Sequence, residues 1–191
     1  MLTDRQQQII EASIELIDQK GIQGFTIKNL SKEIGISEPG IYRHFDSKVM
    51  ILSTILDTFK QGMNAYHQRK QKEETVSAEE QIMEFFSMVF MMFSLNPALV
   101  SVIFAEEIFQ NEPALTEKVL EIQEDNEKII MAMLKSVALN HKLKSTDPEL
   151  LTTLLFGSVR LLVRKWKMGN YDFDLADKGK TLIHTILKML S

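Results

Sequence analysis

Apolar residues recur along this chain at steps of three and four, the spacing that gathers them on one side of a helix, and nowhere alternate with period two. Near residues 4 to 20 the inward side is Ile9, Ile10, Ser13, Leu16 and Ile17, and Gly21 ends the helix. From Lys48 to about Arg69 a long helix carries Val49, Leu52, Ile55, Leu56 and Phe59 on one stripe. Further helices are predicted near 77–95, 97–110, 113–141, 147–168 and 174–190, and no segment is low in complexity.

Between the first and the long helix, Thr26 to Lys48 reads as two short helices joined by a tight turn. Thr26 caps the first, with Phe25 and Leu30 at the spacing of a hydrophobic staple. Gly35 follows Ile34 where the helix must end in a left-handed residue, which glycine enters without a Cβ penalty. Ser37 caps the second, Ile36 and Ile41 repeat the staple, and Pro39 is tolerated because first-turn N–H groups have no intrahelical partner. Leu30, Ile34, Ile36, Ile41 and Phe45 supply apolar contacts, and the small Ser31 lets the two helices approach. One face is core and the other is free to meet a groove of DNA: a helix-turn-helix.

The net charge of −4 looks unsuited to DNA until it is divided along the chain. Residues 26 to 72 carry eight basic side chains against four acidic ones, whereas residues 73 to 130 carry two against thirteen. Positive charge is local to the motif and the helix after it, as phosphate neutralisation needs. The acidic middle cannot be the DNA face. At 191 residues the chain fits one small and one medium domain. The absence of cysteine suits a reducing cytoplasm, and the opening MLTDRQQQII has neither the basic segment nor the apolar run of a secretory signal, so a cytoplasmic protein is expected.

The run T-x-x-x-L-S-x-x-x-G-I-S from Thr26 to Ser37, then a glycine-containing second helix, then IYRHF and D-S-K, resembles the DNA-binding motif of the tetracycline-repressor (TetR) family. That resemblance is specific over the first quarter of the chain and architectural beyond it. It implies an all-α protein of about nine helices: an N-terminal three-helix helix-turn-helix DNA-binding domain over 1–48, and a C-terminal ligand-binding and dimerisation bundle over 49–191 that begins with the connecting helix. Along the chain, the Gln71 to Ser77 region is the expected boundary between DNA-binding and regulatory parts. The DNA-contact set carried over is Thr26, Lys28, Ser37, Glu38, Pro39, Gly40, Tyr42, Arg43, His44 and Lys48. Tyr42 and Lys48 would hold phosphates, with Thr26 adding a contact at a helix start. Arg43 and His44 are candidates for base edges or phosphate, and Gly40 lets the backbone come close. Alternatively Tyr42 is partly core, His44 simply solvated, and Glu38 only a favourable charge at a helix amino end.

Residues Phe85 to Ala105 hold no charge, which raises a membrane span. Asn96-Pro97 interrupts the stretch and glutamates flank it, so two buried helices are expected instead and no membrane partner. Phe85, Phe86, Met88, Val89, Phe90, Met91, Met92 and Phe93 leave the first of them apolar on every side, so neighbours should enclose it. With Phe104 and Phe109 they form either ordinary core or the lining of a pocket for a small hydrophobic effector. Asn126 lies on the stripe of Leu115, Val119, Ile122, Ile129 and Met133, where it would orient a ligand or bond a neighbouring helix. The pocket set is Phe85, Phe86, Met88, Val89, Met92, Phe93, Phe104, Asn126 and Met133.

The last two helices are apolar on more than one face. Leu151, Leu155, Val159, Leu162 and Trp166 make one row, and Leu150, Leu154, Gly157 and Leu161 another. A homodimer built on a four-helix interface would use Leu151, Leu155, Val159, Leu162 and Trp166 with Gly179, Leu182, Ile183 and Ile186; alternatively the extra row packs inside one subunit. Two recognition helices related by a two-fold axis would then read successive major grooves of a near-palindromic double-stranded operator. By resemblance, the outcome is repression relieved when a ligand moves the helix Lys48 to Arg69. A second reading, similar to the nucleoid-occlusion members of the same family, has the bundle contact a protein through the acidic stretches Glu73 to Glu84 or Glu117 to Glu127. An enzyme is not expected: Gly35 to Gly40 lacks the Lys-Ser/Thr and preceding strand of a phosphate loop. His44, His67, His141 and His184 have no metal-ligand spacing, and neither metal nor cofactor is expected.

Overall fold

A computed structural model describes residues 2–70, 77–104, 112–139 and 147–190. Among them are nine helices and no strand: α1 (Asp4–Gly24), α2 (Ile27–Ile34), α3 (Glu38–Tyr42), α4 (Lys48–Lys70), α5 (Ala78–Leu95), α6 (Ala98–Ile103), α7 (Pro113–Leu139), α8 (Pro148–Met168) and α9 (Leu175–Leu190). The helices gather into two compact units, one of Met1–Tyr66 with Ala98–Ile122 and one of His67–Pro97 with Gln123–Ser191, so the division falls inside α4 and inside α7. Gln71 to Val76, Phe109 and the C-terminal part of the helix expected over 97–110 lie outside the described residues.

Local chemistry sets the helix limits. Thr3 and Gln6 form a reciprocal capping box at the start of α1, and Ser77 and Glu80 form another at α5. The expected break at Gly21 is real: its φ of 65° interrupts the helical backbone of α1. Asp147 caps α8 by accepting from the Glu149 and Leu150 amides, and Asp174 caps α9 through the Asp177 amide at 2.9 Å.

In the first unit α1 packs on α2 and α6, and α2 on α3. All five residues expected on the inner side of α1 are buried, with Ile14 beside them, and the buried Ser13 hydroxyl donates back to the Ile9 carbonyl at 2.6 Å. Ser101 of α6 donates to the Asp18 carboxylate of α1. Ile51, Leu52, Ile55, Leu56, Phe59 and Met63 form the buried stripe of α4. On its other side, Lys118 of α7 reaches Ser53 Oγ at 2.6 Å and both Asp57 oxygens at 2.7 Å, and Lys60 pairs with Glu121 at 2.8 Å.

In the second unit α9 packs on α5 and α8. The α5–α9 approach is close because Gly179 has no side chain: a Cβ there would stand 2.4 Å from the ring of the fully buried Phe90. Phe86 meets Phe85 and Phe156 edge-on, at centroid distances of 5.2 and 5.4 Å. The enclosure expected of α5 is incomplete, since Met91 is 49 % and Leu95 79 % exposed.

Two stripes run differently from expectation. On α7, Leu115 and Ile122 are buried, but Val119, Asn126, Ile129 and Met133 are half-exposed while Ile130, Leu134 and Val137 are buried. The helix passes from one unit to the other between Ile122 and Gln123, so its halves are free to bury different faces. On α8 the row Leu151, Leu155, Val159 and Trp166 expected at a dimer interface is buried within the protomer, as are Gly179, Ile183 and Ile186 of α9; Leu162 and Leu182 are half-exposed. Those side chains already have intramolecular partners and little surface to offer a second subunit. The alternate row faces outward: Leu150 is 66 %, Leu154 47 % and Leu161 54 % exposed, and a Cβ on Gly157 would meet nothing within 4 Å.

Candidate nucleic-acid interface

Three caps and a buried staple build the helix-turn-helix. Thr26 Oγ1 accepts from the Asn29 amide at 3.1 Å, and Asn29 Nδ2 donates back to the Gly24 carbonyl at 2.9 Å, fixing how the chain enters α2. Phe25 and Leu30 are both fully buried. Gly35 closes α2 in the left-handed region, with φ 75° and ψ 32°, and the amide of Ile36 returns to the Ser31 carbonyl at 3.0 Å. Ser31 is buried and its hydroxyl donates to the Lys28 carbonyl, so close helix approach leaves no orphan hydroxyl. Ser37 Oγ accepts from the Gly40 amide at 3.2 Å, and Ile41 plants the recognition helix α3 in the core at 0 % exposure.

With Ile41 inward, the opposite side of α3 faces solvent. Of the ten sequence-predicted contact residues, Thr26, Lys28, Ser37, Glu38, Pro39, Tyr42 and Arg43 are exposed, and Gly40, His44 and Lys48 are half-buried. Tyr42, at 48 % exposure, is a surface group with a free face and not a core tyrosine. A Cβ at Gly40 would meet Ser37 Oγ at 3.4 Å and Ile36 Cδ1 at 3.5 Å, which is ordinary contact. Nothing inside the protomer requires glycine there.

Lys48, expected to hold a phosphate, is half-buried. Its ammonium lies over the Phe25 ring, 5.2 Å from the centroid. Burial there lowers its pKa from the ordinary lysine value, and the Glu112 carboxylate opposes that shift. Sequence reasoning passed over Gln6, whose side-chain amide donates to the His44 carbonyl at 3.3 Å across 38 residues of sequence. The legible signal was the Thr3-x-x-Gln6 capping box.

Of the predicted pocket residues, Phe85, Phe86, Met88, Val89 and Phe93 are buried on α5 and Met92 is half-buried there; Phe104 belongs to the first unit, and Asn126 and Met133 are half-exposed on α7. Among the described residues no cluster of His, Cys, Asp or Glu could hold a metal ion, and no helix is long and apolar enough to cross a membrane.

Comparison with known proteins agrees with this geometry. Residues 9–55 match the family of bacterial regulatory proteins of tetR type, and residues 59–189 match the C-terminal region of YsiA-like proteins. The chain is 25 % identical over 186 residues to the fatty acid metabolism regulator protein of Bacillus subtilis (strain 168), covering 96 % of this chain and 92 % of that one. It is 32 % identical over 76 residues, 39 % of this chain and 38 % of the other, to the nucleoid occlusion factor SlmA of Actinobacillus pleuropneumoniae serotype 5b (strain L20). The crystal structure of the transcriptional regulator FadR from Bacillus subtilis in complex with stearoyl-CoA superposes with a TM-score of 0.77 at 23 % identity, over 97 % of this chain and 99 % of that one. Two of these similar proteins are named as regulators.

Proposed function

The chain belongs to the TetR family of bacterial regulatory proteins, and from that premise we propose that it is a homodimeric transcriptional repressor, released from a near-palindromic operator by a long-chain acyl-CoA. What carries the effector class is the likeness, along nearly all of both chains, to a fatty acid metabolism regulator and to a regulator solved with stearoyl-CoA. The chemistry of α5 supports it: Phe85, Phe86, Met88, Val89, Met92 and Phe93 offer an acyl chain deformable thioethers and aromatic edges. These residues are the proposed lining.

The recognition helix enters the major groove, with Arg43 toward base edges and Tyr42 and Lys28 on phosphates. Gly40 lets the backbone approach the duplex, with no side chain of its own on that stretch of the helix. For the dimer, the reading uses the outward row of α8, Leu150, Leu154, Gly157 and Leu161, in place of the buried one. A two-fold axis passing near Gly157 would lay two such helices in close contact, Leu154 of one near Leu161 of the other. A near-palindromic operator needs the two recognition helices roughly 34–36 Å apart. Acyl-CoA releases the operator to the extent that it binds the two states of α4 unequally. The protein works in the cytoplasm, where the operator lies, and has no catalytic role.

The test begins with in vitro selection of duplexes from a random library, followed by fluorescence-anisotropy titration of the best-bound duplex against a scrambled one, with stearoyl-CoA or coenzyme A alone added. Selective binding abolished by stearoyl-CoA and untouched by coenzyme A is the expected result. Operator affinity that stays constant at saturating acyl-CoA would remove this effector class, and failure to enrich any duplex would remove the DNA-binding reading.

A further inference from the structure

The recognition helix α3 is five residues long, too short to hold its own shape in water, so its pose depends on what holds its two ends. The amino end has the Ser37 cap, and Ile41 pins the middle. At the carboxyl end the amides of His44 and Phe45 both turn back to the Ile41 carbonyl, at 2.9 and 3.1 Å, which ends the helix. Carbonyls beyond such a turn have no helical partner and must find one elsewhere. The His44 carbonyl finds Gln6.

The orientation of that amide is fixed by chemistry. Gln6 Oε1 accepts from the Thr3 backbone N–H at 3.0 Å and from the Thr3 hydroxyl at 3.2 Å. The Thr3 N–H is an obligate donor and the His44 carbonyl an obligate acceptor, so oxygen must face Thr3 and nitrogen must face His44. One side chain therefore performs two tasks at once: its oxygen caps α1 and its nitrogen ties the exit of α3 to the amino end of α1. Any change of angle between α3 and α4 has to pass through the segment His44 to Ser47, and Gln6 holds its first carbonyl.

We propose that Gln6 is a positioning residue for operator recognition, holding α3 in the pose that matches the base edges without itself touching a base. The inference rests on the DNA-binding reading above. Glutamate in its place would keep the oxygen that caps α1 and lose the N–H that reaches His44, while methionine would lose both without adding charge. Thr3→Val does the reverse, weakening the cap and leaving the Gln6 donor in place.

The full-length protein and its Q6E, Q6M and T3V variants are titrated against the selected duplex and its scrambled counterpart over a salt series, and each variant's urea midpoint is recorded. The readout is the ratio of the two affinities, because an added charge near phosphate weakens both duplexes alike and cancels in it. The expected result is a ratio lowered roughly threefold to tenfold in both Q6E and Q6M, the worth of one hydrogen bond, with the urea midpoint of Q6E, which keeps the α1 cap, above that of Q6M. In T3V the urea midpoint falls and the ratio holds. An unchanged ratio in Q6E and Q6M, or a ratio that falls in T3V as far as in Q6M, overturns the proposal, since the bond would then matter only for folding. If the parent protein shows no preference between the duplexes, the DNA-binding reading has failed instead.

Discussion

Replacing Gly179 by alanine sets two well-measured effects against each other inside α9. Helix propensity favours alanine by about 1 kcal/mol, since glycine carries extra backbone freedom in the unfolded chain. Against that, the new Cβ would lie 2.4 Å from Phe90 Cδ2 and Cε2 and 2.6 Å from Cγ. Ordinary contact begins near 3.4 Å, so ring and methyl must separate by about 1 Å. Phe90 is fully buried, and a close-packed interior has nowhere to send its ring. Overpacking of this kind costs about 1–3 kcal/mol, which outweighs the propensity gain at all but its low end. G179A should therefore be less stable than the parent by about 1 kcal/mol, and by no more than about 2. Urea unfolding read by the single Trp166, 5 % exposed in the same unit, measures this at one fixed protein concentration because a dimer's stability depends on it. The double variant G179A/F90L separates causes, because the smaller leucine side chain vacates the space that the methyl needs. There, the alanine should cost at least 1 kcal/mol less than in the parent background. A G179A protein as stable as the parent, or one whose loss is the same in the F90L background as beside Phe90, would refute the packing argument.

Three other outcomes follow from features already described. Gly157→Ala meets no atom within 4 Å in the protomer, so the substitution should leave the fold intact and raise the dimer dissociation constant at least tenfold by analytical ultracentrifugation; an unchanged constant would remove the outward row of α8 from the interface. Burial lowers the His67 pKa from its ordinary 6.5, so the unfolded chain binds the proton more readily, and stability should be full above pH 6.5 and decline as pH falls through and below it. Urea midpoints across pH 5 to 8 check this, and H67Q should flatten the acid side of the curve. A double-mutant cycle of K118M and D57N should return a coupling of about 0.5–1 kcal/mol at low salt, discounted because Asp57 is 47 % exposed, and additive losses would mean that the bridge contributes nothing.

The helix-turn-helix was legible because its determinants are local. Thr26, Gly35 and Ser37 each act on a backbone group within five residues, so one strand of text contains both donor and acceptor. The second task of Gln6 was not legible for the opposite reason: its partner is a carbonyl 38 residues away, and every residue has a carbonyl. On α8 the two leucine rows are equally apolar, and which one faces inward is decided by α9, which packs on the same helix. The row with Val159 and Trp166 won, and Trp166 Nε1 secures it by donating to the Phe173 carbonyl at 2.9 Å. On α7 a single period was read through a helix that serves two packing environments, so the inward face was right at Leu115 and Ile122 and displaced by one residue from Ile129 onward.

Between α4 and α7 the charges alternate in opposite order. Asp57 meets Lys118, and three residues on, Lys60 meets Glu121. Signs arranged this way behave as a vernier: they match at one alignment and clash at the next. Were α4 to slide along α7 by less than one turn, about 4.5 Å for three residues, Lys60 would arrive at Lys118, or Asp57 at Glu121 if it slid the other way. Sliding is thus opposed in both directions, while tilting about the paired charges costs neither bridge. A displacement that reached α4 in this part of the molecule would then meet less resistance as a change of angle than as a slide, and the DNA-binding helices would be steered like a rudder and not drawn like a bolt.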